Sequence, residues 1–442
     1  MLLHVGLDDT DSPRGGCTTY IAARLVEELL SLGARFVDYP NLLRLNPNVP
    51  WKTRGNGAVC LRAEIEPELE EPVKRAVIEA VEAHADFDCE NTNPGIVFYI
   101  GETTELLRLF SKEVVQGVVI IDEALKLVDG HHASALGYKN MRGVIGALAA
   151  IGGLHGGDHT FEFLAYRRPE RCGRPRLVDQ TSVEAMDKDT MGSTFSNIDP
   201  DIGRILITPH GPDPVLFGVR GESPEAVHRA AMMVELGEQL ERWVIFRTNQ
   251  GTDAHLRNLS KLCELQPYHP AVVDGEVSRR PMTIKGGHVI LSMRDNTGEI
   301  DCAAYEPTGG FRDVVRQLIP GDRVRAYGGV REASSYTPET LNLEKLELLS
   351  LAPDLRLVNP TCPACGAAME SMGRGKGFRC RRCGLRDRRS RKLTVEAERL
   401  LKPGLYIPPL RAHRHLTKPL ERYGREKREY EPGDLFEPWH WP

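Results

Sequence analysis

The sequence predicts a multidomain chain, mixed α/β over its first half and all-β over its second. Three observations carry that expectation. A short apolar run, Leu2 to Leu7, ends in the acidic turn Asp8-Asp9-Thr10-Asp11 and leads to a helical pattern from Thr18. Five strand-like segments lie between Ala271 and Leu348, with a short helix between the third and the fourth. Beyond them, Cys362, Cys365, Cys380 and Cys383 are spaced C-x2-C-x14-C-x2-C.

Leu2 to Leu7 suits one buried strand and is too short for a signal peptide or a membrane span. Strand ends are where ligands sit in α/β sheets, so Asp8, Asp9 and Asp11 are expected to face a crevice. Hard oxygen ligands at that spacing suit Mg²⁺, which takes one or two carboxylates and leaves the rest to phosphate and water. Gly15 and Gly16 let backbone N–H groups approach an anion. The pattern Ile21, Leu25, Val26, Leu29, Leu30 then puts Thr18 and Thr19 at the electropositive start of a helix. A hydroxyl there can cap the helix, touch a metal or accept a phosphoryl group, and the residues alone leave these open. The Walker pattern G-x-x-x-x-G-K-[ST] does not precede the threonines.

Further polar strings sit between apolar strands. Lys52, Arg54, Asn56 and Gly57 share one glycine-containing loop suited to a triphosphate or ribose phosphate, or to a plain surface turn. Gly137 to Gly143 brings Lys139 and Arg142 to a helix expected over Val144 to Ile151. Asp158, His159 and Glu162 precede the strand Phe163 to Tyr166, where salt-bridged strand ends compete with metal ligation. A helix from Pro224 to Leu240 gives this region a ferredoxin-like α+β character.

In the second half, Ala271–Val277, Gly287–Met293 and Glu299–Ala304 read as strands, the last two joined at Asp295-Asn-Thr-Gly298. A helix from Phe311 to Leu318 and strands at Arg323–Gly329 and Leu341–Leu348 complete the order of an OB-fold barrel, a common oligonucleotide reader. The four spaced cysteines predict a closed tetrahedral Zn²⁺ site, hence a structural one. Around it Arg374, Lys376, Arg379, Arg381, Arg382, Arg386, Arg388, Arg389, Arg391 and Lys392 face a single acid, Asp387, with Phe378 as a stacking face. That local field suits a phosphate backbone despite a net charge of -5 for the 442 residues. The six other cysteines of the ten read as reduced thiols, Cys17 among them at a helix start. No apolar run approaches the roughly 20 residues of a membrane helix, and a cytoplasmic protein is expected. Past Arg399 the tail is basic, with Trp439 and Trp441, and is expected to wrap over its own domains or a ligand.

Gly6-Leu-Asp-Asp-Thr-Asp-Ser12 with Gly15 and Cys17-Thr-Thr-Tyr20 resembles the archaeal tRNA(Ile) 2-agmatinylcytidine synthetase family. So do Arg44-Leu-Asn-Pro-Asn-Val-Pro-Trp-Lys-Thr-Arg-Gly-Asn-Gly57, Asn91-Thr-Asn-Pro-Gly95, Pro209-His-Gly-Pro-Asp-Pro214 and Phe246-Arg-Thr-Asn-Gln-Gly-Thr-Asp-Ala-His255. The resemblance covers essentially the whole chain. It implies an unusual kinase-like domain (1–130), a ferredoxin-like domain (131–262), the OB-fold (263–355), a zinc ribbon (356–395) and a basic tail (396–442). It further implies an ATP-dependent ligase that joins agmatine to the wobble cytidine of the CAU-anticodon isoleucine tRNA, with ATP ending as AMP. Thr18 would be autophosphorylated, with Asp8, Asp9 and Asp11 serving Mg²⁺ and phosphoryl transfer. Gly15, Gly16, Thr19, Lys52, Arg54, Asn56 and Gly57 would then approach ATP.

Chemistry supports such a route. The 2-oxygen of cytosine is a poor leaving group until it is phosphorylated, and agmatine needs a base, for which Asp9 or Asp11 is the expectation. Its guanidinium needs a carboxylate or carbonyls, with Asp158, Glu162 and Asp253 as candidates. Two rivals remain on the residues: a nucleic-acid-binding factor without catalysis, and a phosphotransferase acting on a small molecule. The agmatine pocket and the oligomeric state are left open.

Overall fold

Leu3, Val5 and Leu7 of the first strand, β1 (Leu2–Asp8), are buried, and so are His4 and Gly6 between them. A strand buried on both faces needs cover on both, and the fold supplies it. The computed structural model describes every residue except 53, 54, 257, 258, 336, 431 and 432. After β1 come α1 (Thr18–Ser31), β2 (Arg35–Phe36), β3 (Asn41–Arg44), β4 (Gly57–Glu64), α2 (Glu70–His84) and β5 (Gly95–Ile100). They are followed by α3 (Glu105–Gln116), α4 (Ile121–Gly130), β6 (Ser134–Gly137) and α5 (Gly143–Gly152). α1 and α2 pack on one face through Leu25, Val26 and Val77, while α3, α4 and α5 pack on the other through Phe110, Val128 and Leu148.

The next stretch holds β7 (Thr160–Arg167), α6 (Gln180–Asp189), β8 (Thr194–Phe195), β9 (Ile198–Asp199) and β10 (Arg204–Ile205). β11 (Val215–Gly221), α7 (Pro224–Met232) and β12 (Leu240–Thr248) follow. Asp179 and Ser223 cap α6 and α7 by accepting backbone N–H bonds at 2.7 and 3.2 Å. The helix expected to reach Leu240 stops at Met232, and a turn there lets Leu240 begin a strand. Strands β12-β7-β11-β8 lie side by side and antiparallel, so β7-α6-β8-β11-α7-β12 is the split βαβ order of a ferredoxin-like unit. One parallel contact, Arg247 opposite Asn41 and Thr248 opposite Leu42, fuses this unit to β6-β5-β1-β4-β3 in a continuous sheet. The expected division at 130/131 falls between α4 and β6, and β6 and α5 pack on the strands of the first half.

α5 sits almost on the backbone of the sheet. A Cβ on Gly6 would lie 2.1 Å from the Ala147 carbonyl oxygen, and one on Gly95 2.0 Å from the Gly143 carbonyl carbon. Absence of these side chains is what lets the helix N-terminus reach the end of β1.

The barrel follows the expected order closely: β13 (Pro270–Val277), β14 (Met282–Thr283), β15 (Val289–Arg294), β16 (Glu299–Ala304), α8 (Phe311–Arg316), β17 (Arg323–Arg331) and β18 (Thr340–Ser350). Pairing of β13 with both β17 and β15 closes it. Asp295 ties the hairpin turn by accepting from Thr297 and Gly298, and the Leu262 N–H holds it from outside, so its carboxyl falls to about 2.

β19 (Asp354–Val358) and β23 (Leu393–Ala397) form a two-stranded stalk that carries β20 (Met369–Ser371), β21 (Phe378–Cys380) and β22 (Arg386–Asp387). Phe378 is buried with Met369 and Cys380, so the stacking face expected of it is not available. The tail wraps over the molecule itself. β24 (Gly404–Tyr406) joins β18, β25 (His440–Trp441) joins β12, and Trp439 packs on Phe36 and Tyr39.

Candidate active site

β1 ends at Asp8, and at Asp9 the chain turns through a left-handed backbone with φ of 57°. The turn sends its carboxylates to different places. Asp8 is pressed on the first turn of α5, where a Cβ on Gly146 would lie 1.9 Å from Asp8 Oδ2. Asp9 Oδ2 accepts from Arg142 at 3.0 Å (Nε) and 2.7 Å (Nη2). The basic approach to α5 seen in the sequence thus answers the acids at the end of β1. Asp11 lines a cavity of about 720 Å³.

Burial, and then the charge of Asp9, raises the pKa of Asp8; burial also raises that of Asp9, against the opposing pull of Arg142. Carboxylates that resist ionising together are relieved by a divalent cation. The three carboxylates do not meet as a single three-ligand group among the described residues, so a cation here would draw on the neighbouring Asp8 and Asp9 and on phosphate oxygens.

Thr18 is the first residue of α1 and Cys17 is its N-cap, with no side chain capping the helix. Of the three roles open to Thr18, capping is thereby removed. Its Oγ1 meets that of Thr10 at 2.9 Å, and the side chain is buried on the cavity wall. Thr19 also lines the cavity, with Oγ1 3.0 Å from Cys17 Sγ. Lys52, Asn56 and Gly57 line it from the opposite loop, where Asn56 Nδ2 donates to Asn46 O at 2.9 Å. Lys52 Nζ donates to Pro47 O. Arg54 lies outside the described residues. Gly15 and Gly16 shape the turn before α1 and are not among the residues lining the cavity.

Other cavity residues come from segments far apart in the chain. Glu162 accepts from Arg220 Nε at 3.1 Å and from Gln250 Nε2, and lies 3.9 Å from Arg44 Nη2. His415 Nδ1 meets Gln250 Oε1 at 3.0 Å. Of the three carboxylates considered for a guanidinium, only Glu162 borders the cavity. Asp158 pairs with Arg422, and Asp253 with Lys345. Arg44 headed one of the notable strings, whereas His413, Arg414 and His415 reach the wall from the tail, which no spacing in the sequence could disclose.

In the ribbon, the Sγ atoms of Cys362, Cys365, Cys380 and Cys383 lie within 4.8 Å of one another, with Cys362–Cys383 and Cys365–Cys380 both at 3.5 Å. A tetrahedron with Zn–S bonds of about 2.3 Å has edges of about 3.8 Å, so the four thiolates fit Zn²⁺ with no vacant position. The ten basic residues around them are all exposed.

Comparison with known proteins accounts for every part of this architecture. Residues 4–140 match the TiaS TCKD domain, 141–255 the TiaS FLD domain and 359–401 the TiaS C-terminal zinc ribbon domain. Residues 271–349 match an OB-fold nucleic acid binding domain. The isoleucine-tRNA 2-agmatinylcytidine synthetase TiaS of Methanosarcina mazei is 45% identical over 97% of this chain and 99% of its own length. The chain belongs to the TiaS family. Its TiaS relative in Methanocaldococcus jannaschii is 43% identical, covering 95% of this chain and 99% of that one. Among solved structures, apo TiaS superposes with a TM-score of 0.86 at 40% identity, covering 99% of this chain and 100% of that one. A TiaS complex with its isoleucine tRNA, AMPCPP and agmatine has a TM-score of 0.84 at 38% identity and the same coverage.

Proposed function

We propose that this chain joins agmatine to the 2-position of the wobble cytidine of the CAU-anticodon isoleucine tRNA, consuming ATP and releasing AMP. The observation that carries the reading is the meeting of Thr18 and Asp11 on one cavity wall in a chain that aligns end to end with TiaS enzymes. Relatives in complex with an isoleucine tRNA, with ATP and with agmatine support the same three substrates here.

Thr18 is the phosphoryl acceptor. Its hydroxyl is desolvated, fixed by Thr10 and open to the cavity, so it is oriented before the phosphate arrives. Asp8 and Asp9, with Asp11 beside them, would hold Mg²⁺, which would supply charge neutralisation to the phosphates. The N-terminus of α1 adds the field of its free N–H groups. Lys52 and Asn56 steady phosphate or ribose from across the cavity, a role extended to Arg54, which lies outside the described residues. Going from ATP to AMP frees two phosphoryl groups: one is placed on the cytosine 2-oxygen, which leaves as phosphate when the agmatine nitrogen attacks C2, and the other passes through Thr18 to water as a second phosphate. Asp11, which lines the cavity together with Glu162 and Asp213, takes the ammonium proton. The ribbon, with structural Zn²⁺, and the barrel grip the RNA, whose single-stranded loop lets the base splay into the cavity. A tRNA substrate assigns the enzyme to the cytoplasm.

The test supplies purified protein with tRNA transcript, ATP and agmatine. A mass gain on the tRNA needing both small molecules, with AMP released, is expected. Thr18→Ala should abolish the gain while leaving the circular dichroism unchanged. Modification by Thr18→Ala at the normal rate would overturn the assignment of Thr18. Continuous ATP turnover without tRNA, beyond one labelling of Thr18 per chain, would favour a small-molecule phosphotransferase instead.

A further inference from the structure

Glu162 and His415, which line the cavity, are joined through the buried Gln250 in a directed chain of polar contacts, with Arg44 beside them on the cavity wall. Gln250 Nε2 donates to the Glu162 carboxylate. That fixes the orientation of the amide, so Gln250 Oε1 faces His415 Nδ1 and must accept from it. Nδ1 therefore carries the proton, and Nε2 presents a lone pair to which no side chain among the described residues is seen to donate. The charge of Arg44 and burial both push the imidazole well below its usual range, so it stays neutral near pH 7.

Nε2 has a donor next to it. A Cβ on Gly55 would lie 3.1 Å from His415 Nε2 and 3.2 Å from Arg44 Nη1. The two atoms thus end side by side at the open face of a glycine, and all three residues line the cavity. Arg44 is set in place by its backbone, which exchanges two hydrogen bonds with the Asn249 side chain at 2.8 and 2.9 Å. Its Nε finds no protein partner among the described residues.

An acceptor beside a donor reads a ligand edge that presents a donor beside an acceptor. Cytosine presents that edge in its exocyclic amine and ring N3, whereas uracil presents the reverse. Resting on the cytidine reading of the cavity, we propose that His415 and Arg44 read the edge of the target base. His415 Nε2 accepts from the exocyclic amine, and Arg44 donates to N3. The amine end of that edge lies away from C2, and N3 adjoins the reacting carbon.

The test is a two-by-two comparison of kcat/KM, with wild type and His415→Ala each given tRNA bearing cytidine or 2-pyrimidinone riboside, which lacks the amine, at the wobble position. Loss of the amine should cost wild type roughly tenfold or more, the scale of a buried neutral hydrogen bond left half-made. His415→Ala should be slow on cytidine and lose less than about threefold further without the amine. Equal losses in both proteins would overturn the proposal. Gly55→Ala serves as a second variant, because its methyl crowds Nε2 and Nη1 without touching the buried chain. It too should shrink the penalty for removing the amine, and full discrimination by both variants overturns the pair. Wild type adding no agmatine to cytidine would overturn the parent function itself. Agmatine addition with a flat comparison would leave the function standing and remove only this assignment.

Discussion

At the scale of residues, buried imidazoles make the fold sensitive to mild acid. Burial and the charge of Arg62 hold His4 at about 4 and His155 at about 3; burial holds His159 at about 4. All three are neutral in the folded chain and titrate near 6.5 when it unfolds. Their contribution to stability is therefore present above about 6.5 and is lost as pH falls towards about 4. Each histidine adds a slope approaching about 1.4 kcal/mol per pH unit. Urea midpoints at pH 7 and pH 5 should fall in that order, and equal midpoints would contradict the burial of these rings. The sequence discloses the site only where neighbours in the chain are also neighbours in space. Asp8, Asp9, Asp11 and Thr18 fall within eleven residues, and Lys52 to Gly57 share a loop. Glu162, Gln250 and His415 assemble from three separate segments, so although the first two stand in strings the sequence marks, no spacing joins the three.

At the scale of elements, the end of β1 and the start of α5 act as one unit. The helix Gly143–Gly152 has buried residues on nearly every side, and its glycines meet backbone rather than side chains. Gly6→Ala would drive a methyl to about 2 Å from the Ala147 carbonyl oxygen, so the helix must lift off the sheet. Overpacking of that kind costs about 1–3 kcal/mol. Thermal unfolding of Gly6→Ala should show that loss, and it should be accompanied by weakened phosphorylation of Thr18, because Asp8 and Asp9 both lean on this helix. Unchanged stability would rule out the close approach. The barrel strands and α5 were legible because alternation and turn chemistry decide them locally. The end of α7 was not, since Met233 to Leu236 continues an acceptable helical composition and tertiary pairing of β12 decides where it stops.

At the scale of the molecule, the ribbon is set apart. Its small core of Cys362, Met369, Phe378 and Cys380 is separate from the others, and it hangs on a stalk closed at Val358 opposite Leu393. Zinc chelation should unfold the ribbon alone. Expected results are a large loss of tRNA affinity, intact ATP-dependent labelling of Thr18 and an unchanged main melting transition. A shift of that transition by several degrees would show instead that the ribbon supports the body.

The return of the tail has a thermodynamic consequence. Gly251 and Asp253 donate backbone hydrogen bonds to the carbonyls of His415 and Leu416, so the rear wall of the cavity is docked to a loop roughly 160 residues earlier. Everything between is a ring closed by that contact. With the barrel folded the two ends are already near each other. With it unfolded, closing a ring of that length costs about 4–5 kcal/mol in chain entropy. The rear wall of the cavity is therefore kept in place by the order of a separate domain. Loosening the barrel lowers the effective concentration of the tail at its own docking site.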